Sequence, residues 1–388
     1  MAVTVIDFGR AVLPYGVFRP PGATPRAGVA VGTQVLDLTA HFDDPVFARP
    51  SLNAFMARGR AFWSEVRERV EQIVAGSGDR GLHDQRTVEV LLPIEVADFV
   101  DFFSGIEHAT NAGRILRPNE EPLKPNWRHL PVGYHGRAGT VVASGTTVRR
   151  PVGQLRQGED IVVAPSERLD IEAELGYIVG TGSQHGTPVP TTAFAEHVFG
   201  VVPLIDWSAR DIQAWEYQPL GPFLAKSFAT SIGNWVVPLE ALSRHWVQGP
   251  EQTPAVQPYL AVAEPRNLAI HLDVSINGHQ LSQPFAAGLY WSPAQQLAHM
   301  TRNGASLRTG DLYGTGTISS FDPGGQGSLL ELSWNGTRPV QLGEDTTRRA
   351  FLADGDEVVI SAVAGPERLP LGEVRGTITL ATALEPSS

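Results

Sequence analysis

The 388-residue chain contains no cysteine. That absence excludes disulfides, thiolate zinc sites, iron–sulfur clusters and a cysteine nucleophile. No apolar run is long enough to span a bilayer. The opening MAVTVIDFGRAVLPYG places Asp7 and Arg10 where a signal peptide needs an unbroken apolar core, so a cytoplasmic protein is expected. The sequon Asn335-Gly336-Thr337 means little without secretion. Positive charge is scarce: 30 Lys and Arg against 41 Asp and Glu leave a net −11. Nucleic acid and anionic membrane are therefore disfavoured as partners. A small anionic substrate would need local cations to offset that field. Several catalytic signatures are also missing. There is no H-E-x-x-H and no G-x-S-x-G. LGPFLAKS carries Ala225 where a phosphate loop needs glycine, and GTGTIS and GGQGSL fall short of G-x-G-x-x-G. A conventional serine hydrolase or zinc peptidase is disfavoured.

Hydrophobic residues make up 42% and charged residues 18%, the balance of an ordered globular protein. The length suggests two or three domains. With 40 glycines and 30 prolines, short apolar runs alternate with turn signals, which predicts a mainly β (α+β) architecture. VTVIDF, YGVFRP and AGVAVGTQVLDL read as strands. SLNAFMARGRAFWSEVRERVEQIV reads as a helix, with Ser51 as its cap and Phe62, Val66, Val70 and Ile73 at helical spacing. The polar, glycine-rich stretch 75–87 is placed as a boundary between an N-terminal domain (1–87) and a larger domain (88–388). Further strands are expected at 139–149, 158–164, 169–180, 198–206, 268–276, 328–334 and 356–362, and helices at 105–114, 190–197 and 292–302.

The stretch LDIEAELG (169–176) poses a chemical question. On a strand, Leu169, Ile171, Ala173 and Leu175 share one face, and Asp170, Glu172 and Glu174 share the other. Three stacked carboxylates repel unless water screens them or a cation binds. Exposed acids are the norm, so a solvated face is the plainer reading. Asp206 at the end of HVFGVVPLID and Asp101 after VEVLLPIEVADFVD are also acids delivered by apolar runs. If Asp101, Glu172, Glu174 and Asp206 converge, they form an all-oxygen site suited to Mg²⁺ or Ca²⁺. In DFFSGIEH, Ser104 and Glu107 have capping-box spacing, which would place His108 near a helix start, with Glu331 of SLLELSW a candidate orienting partner. A hydrogen-bonded structural histidine is the alternative. Arg210, Gln213, Tyr217 and Lys226 gather donors beside Asp206, able to hold a carboxylate or stabilise an oxyanion.

DFFSGIEHATNAGR, PNWRHLPVGYHGRAGTVVASGT, LDIEAELGYIVG, DWSARDIQAWEYQPLGPFLAKSF, GTGTIS, SLLELSW and FLADGDEV together resemble the fumarylacetoacetase family, in family order from about Asp101 to Val358. The resemblance implies an N-terminal SH3-like barrel, a C-terminal mixed β-sandwich roll and a homodimer. It also implies hydrolysis of the diketo acid 4-fumarylacetoacetate to fumarate and acetoacetate. By motif position, Asp101, Glu172, Glu174 and Asp206 would hold a catalytic Mg²⁺ or Ca²⁺, with Asp206, Lys226 and Thr230 around a second, structural cation. His108 would be the base and Glu331 its orienting carboxylate. Arg210, Gln213 and Lys226 would meet the oxyanion. Phe103, Arg117, Tyr134, Gln213, Tyr217 and Thr317 would lie against the substrate. Asp170 receives no role and is expected to be solvated or salt-bridged. Two positions depart from the family pattern: Phe103 replaces a tyrosine and Ala229 a glycine. The alternatives are a sibling superfamily activity, such as acylpyruvate hydrolysis or oxaloacetate decarboxylation, and a non-catalytic, calcium-dependent binding protein.

Overall fold

The computed structural model describes residues 5–76, 78–343 and 347–382. It is mostly β. The largest sheet has 13 strands. In neighbour order its main path runs Leu82–Asp84, Gln34–Asp37, Arg26–Val31, Tyr15–Arg19, Trp235–Pro238, Val198–Ala209, Leu169–Val179, Leu312–Gly314, Phe99–Phe102 and Gly133–His135. N-terminal strands thus join the later ones edge to edge, with Tyr15 opposite Val236. A second, five-stranded sheet comprises His279–Ser282, Ile270–Ile276, Glu357–Ala364, Leu369–Thr379 and Val148–Arg149. Trp207 is buried where the two sheets meet; a Cβ on Gly376 would come within 2.6 Å of its ring, so only glycine permits that approach.

At the centre, Leu169–Val179 and Val198–Ala209 are buried along their whole length. The apolar row Leu169, Ile171, Ala173 and Leu175 enters the main core, as the alternation predicts. The opposite row is just as dry. Those carboxylates are not a solvated face.

Several local expectations change. SLLELSW is not a strand: Leu329–Leu332 forms a helical turn, because Ser328 Oγ accepts the Glu331 N–H (3.3 Å) and Leu-Leu-Glu-Leu favours helix over strand. The helix expected over 51–74 divides into Asn53–Met56 and Arg60–Ala75 around Gly59; Ser51 Oγ does accept the Asn53 N–H (3.1 Å). The 190–197 helix shrinks to a 3-10 turn (Thr191–Ala193) and one α turn (Phe194–His197) after Pro190. The stretch 139–149 holds two short strands, Val141–Ala143 and Val148–Arg149. Residues 3 and 4 of VTVIDF lie outside the described residues, and 5–8 form no strand.

The FLADGDEV stretch anchors the second sheet. Asp356 is buried and accepts from Arg349 Nε (2.8 Å) and Nη2 (2.9 Å), Asn277 Nδ2 (2.8 Å) and the Ala353 N–H (2.7 Å). Burial alone would raise its pKa, but the Arg349 guanidinium and the N–H donors outweigh it and hold the carboxyl below its usual range. Its contribution is therefore complete above the unfolded value of about 4 and declines as pH falls through the lower folded value. Asp356→Ala is expected to destabilise the protein by about 3 kcal/mol at pH 7, read from urea unfolding, with the gap to wild type closing in strong acid.

Candidate functional site

Register places the acids. Glu172 lies directly opposite Asp206 on the paired central strands, so both side chains leave the same face. Leu312–Gly314 pairs with the glutamate strand on its other side, Gly176 facing Gly314, and runs parallel to Phe99–Phe102 with Gly314 beside Asp101. Four strands thereby bring Asp101, Glu172, Glu174 and Asp206 together, each offering an oxygen within 4.8 Å of the others. Gly314 leaves the room: a Cβ there would sit 2.5 Å from Asp101 Oδ1 and 2.6 Å from Glu174 Oε2. The Gly316 N–H donates to Glu174 Oε2 (3.0 Å).

Asp101 Oδ1 and Glu174 Oε1 are buried with no hydrogen-bond partner. Burial pushes both carboxyls well up; Asp206 adds most to this at Asp101, and Asp101 adds most at Glu174. Unpartnered buried carboxylate oxygens are costly and are stable when a cation or proton joins them. An all-oxygen donor set with those acceptors free fits a hard divalent ion.

Two cations flank the cluster. Lys226 Nζ lies 2.7 Å from both Glu172 Oε2 and Asp206 Oδ2. Arg210 begins the helix Arg210–Glu216; its Nε donates to Asp170 Oδ2 (2.8 Å), its Nη1 to Gln213 Oε1 (3.0 Å), and its Nη2 pairs with Glu172 Oε1 at 2.7 Å. At Glu172 burial alone would raise the pKa, yet Lys226, Arg210 and His108 overcome it and hold the carboxyl ionised. The Tyr134 hydroxyl donates to Asp206 Oδ2 (2.9 Å), and Thr230 Oγ1 reaches Asp206 Oδ1 at 3.4 Å.

His108 completes the group. The helix Ile106–Leu116 starts with Gly105 as its cap, and the expected Ser104–Glu107 capping box does not form. Ser104 Oγ instead accepts from Gln296 Nε2 (2.7 Å), a tertiary partner that local spacing cannot reveal. His108 Nδ1 lies 2.7 Å from Glu331 Oε2, and its Nε2 lies 3.8 Å from Glu172 Oε1. Glu331 also accepts from Asn111 Nδ2 (3.0 Å), Ser319 Oγ (2.8 Å) and Ser328 Oγ (2.8 Å). Burial would raise the Glu331 pKa, but His108, Asn111 and Ser328 together hold it below its usual value. An ionised Glu331 can only accept, so Nδ1 carries a proton, and in the neutral tautomer Nε2 is the nitrogen that can take one. Asn111, Ser319 and Ser328 were not singled out in the sequence. Asn111 sits one turn after His108 and Ser328 three residues before Glu331, which are readable spacings; Ser319 offered no such signal.

The remaining expected residues divide. Thr317 is buried next to Gly316, its Oγ1 unpartnered. The Phe103 ring meets His108 edge-on, with centroids 5.3 Å apart. Arg117 is turned toward Pro122 O (3.1 Å) and Glu120, and the Tyr217 hydroxyl accepts from Gln218 Nε2 (2.9 Å), so neither joins the carboxylate cluster. Ala229 is buried and keeps a negative φ, so no glycine conformation is required there. Asp170 is fully buried and salt-bridged rather than solvated.

The family model for the fumarylacetoacetate (FAA) hydrolase C-terminal region matches residues 99–379, and the one for the fumarylacetoacetase N-terminal region matches residues 11–99. The chain belongs to the fumarylacetoacetate hydrolase family. Among curated relatives, it is 45% identical to the fumarylacetoacetase of Rattus norvegicus over 384 residues, covering 92% of this chain and 91% of the relative. It is 44% identical to that of Homo sapiens over 403 residues, covering 96% of both. The fold is shared with a fumarylacetoacetate hydrolase from Exiguobacterium antarcticum (TM-score 0.58, 17% identity, 95% of this chain and 99% of the other). It is also shared with a maleylpyruvate hydrolase from Sphingobium (TM-score 0.57, 16% identity, 95% and 100%).

Glu174→Gln mimics the protonated carboxyl, so the chelated variant is expected to melt at least as high as chelated wild type. Adding Mg²⁺ or Ca²⁺ at a hundred times the wild-type Kd should raise wild-type stability by about 2.7 kcal/mol and leave the variant nearly unmoved. Differential scanning calorimetry with and without chelator measures both; an undiminished shift in the variant removes Glu174 from the metal set.

Proposed function

We propose that the chain is a metal-dependent fumarylacetoacetase, a hydrolase of carbon–carbon bonds in ketonic substances that converts 4-fumarylacetoacetate and water to fumarate and acetoacetate, the last step of tyrosine and phenylalanine degradation. Near-full-length identity of 44–45% to fumarylacetoacetases carries this reading. The same reading divides the chain into an N-terminal domain, 1–87, and a catalytic domain, 88–388, and makes it a cytoplasmic homodimer. Among the described residues, no helix is long and apolar enough to cross a membrane.

The residues give the steps a physical order. Glu331 holds the proton on His108 Nδ1, and Nε2 takes a proton from the water that attacks the carbonyl. Arg210, Gln213 and Lys226 meet the negative charge that develops on the attacked oxygen. His108, now charged and stabilised by Glu331, returns the proton to the departing acetoacetate carbon. Asp101, Glu172, Glu174 and Asp206 hold the Mg²⁺ or Ca²⁺, which when bound supplies Lewis-acid polarisation of the diketone oxygens. Asp206, Lys226 and Thr230 form the second cation position, where the Lys226 ammonium already lies 2.7 Å from Asp206. Arg117, Tyr134, Gln213, Tyr217 and Thr317 orient the substrate. Phe103 adds only ring contact, since it has no hydroxyl to donate.

Loss of fumarylacetoacetate absorbance, followed before and after chelation and metal restoration, tests the assignment. His108→Ala is expected to lower kcat by about 10²–10⁴-fold while binding metal normally. If wild type cleaves no fumarylacetoacetate under either ion, the reading fails and a sibling keto-acid activity takes its place.

A further inference from the structure

Asp170 is the one buried carboxylate on this face of the glutamate strand that neither the metal set nor the proposed chemistry uses. Four donors converge on it. Oδ1 accepts the N–H groups of Ile171 (2.7 Å) and Leu329 (2.7 Å); Oδ2 accepts the Leu330 N–H (3.0 Å) and Arg210 Nε (2.8 Å). Leu329 and Leu330 open the short helix whose next residue is Glu331. Their amides have no carbonyl partner within the helix. Asp170 therefore ties two separate parts of the site to one point. On one side is the turn that carries Glu331 and, through it, His108 Nδ1. On the other is Arg210, whose remaining nitrogens reach Gln213 and Glu172. The same turn is pinned to the glutamate strand by the Ala173 N–H to Gly327 O bond (2.9 Å) and the bridge between Glu172 and Ser328.

We infer that Asp170 is a positioning residue that sets the geometry between the Glu331–His108 pair and the Arg210 guanidinium. This rests on the fumarylacetoacetase reading for its kinetic consequence, but not for its structural one. The chemistry requires an acceptor-only group. An asparagine in its place has one oxygen for four donors and turns an NH₂ toward either a backbone N–H or the guanidinium. Arg210, released from Asp170, would keep only Glu172 and Gln213 as partners. Glu331 would lose the anchor at the start of its turn. Displacements of about 1 Å at such groups cost on the order of 100-fold in rate.

The test uses the full chain carrying Asp170→Asn, with Asp170→Glu as the second variant if the first does not fold. Three quantities are read: the downfield proton resonance of His108 Nδ1, kcat and KM on fumarylacetoacetate, and the Mg²⁺-induced melting shift. The resonance is expected to move or vanish, and kcat to fall about 100-fold with KM changed less than about threefold. The Mg²⁺ shift is expected to persist. A folded variant with an unmoved resonance and kcat within about threefold of wild type overturns the inference. So does a kcat loss matched by loss of the Mg²⁺ shift, because Asp170 would then act through the metal acids. If wild type itself fails to cleave fumarylacetoacetate, the functional reading fails, and the resonance alone decides whether Asp170 holds the Glu331 turn.

Discussion

The site is organised by a buried excess of negative charge. Asp101, Asp170, Glu172, Glu174, Asp206 and Glu331 are all buried, and among the described residues they face two fixed cations, Arg210 and Lys226. Charges this far from water repel strongly unless each finds a partner. Four do so within the chain. Asp170 has Arg210 and three backbone N–H groups, Glu331 has His108, Asn111 and two serines, Glu172 has Lys226 and Arg210, and Asp206 has Lys226, Tyr134 and Thr230. What is left over sits on Asp101 and Glu174, and there the free oxygens are found.

That division sorts two glutamates on one strand into opposite states. Glu172 and Glu174 are two residues apart and point the same way. Glu172 meets the two cations and is held ionised, whereas burial, with Asp101 alongside, drives the Glu174 pKa up. A divalent ion held by the four acids would supply the positive charge missing on the Asp101–Glu174 side. The histidine bridges the two sides: its Nδ1 is committed to Glu331, and its Nε2 opens toward Glu172.

The sheet exists to hold this arrangement rigid. The acids come from neighbouring strands in fixed register, and a slip of one residue would turn Glu172 and Glu174 into the apolar core. Gly314 is the small residue that lets Asp101 and Glu174 approach, and the short helix at Leu329 brings Glu331 across from a distant part of the chain. Burial of the whole glutamate strand on both faces makes each of these partners obligatory.

The period of LDIEAELG by itself determined which residues of that strand enter the core and that three acids share the other face. The apolar runs ending in Asp101 and Asp206, and the family blocks, marked the remaining acids, His108 and Glu331. Local spacing failed where a distant partner intervened. The Ser104 hydroxyl accepts from Gln296 rather than capping a helix, and SLLELSW becomes a turn because Ser328 and Asp170 capture its amides. Whether the acid row was wet or dry lay beyond the sequence, since either face of a strand can meet water. Only the tertiary structure decided that, by bringing the elements that carry His108, Arg210, Lys226 and Glu331 over it. Asp170 shows the limit most plainly: on the strand it is one more acid, and its four donors come together only when residues 171, 210, 329 and 330 are folded around it.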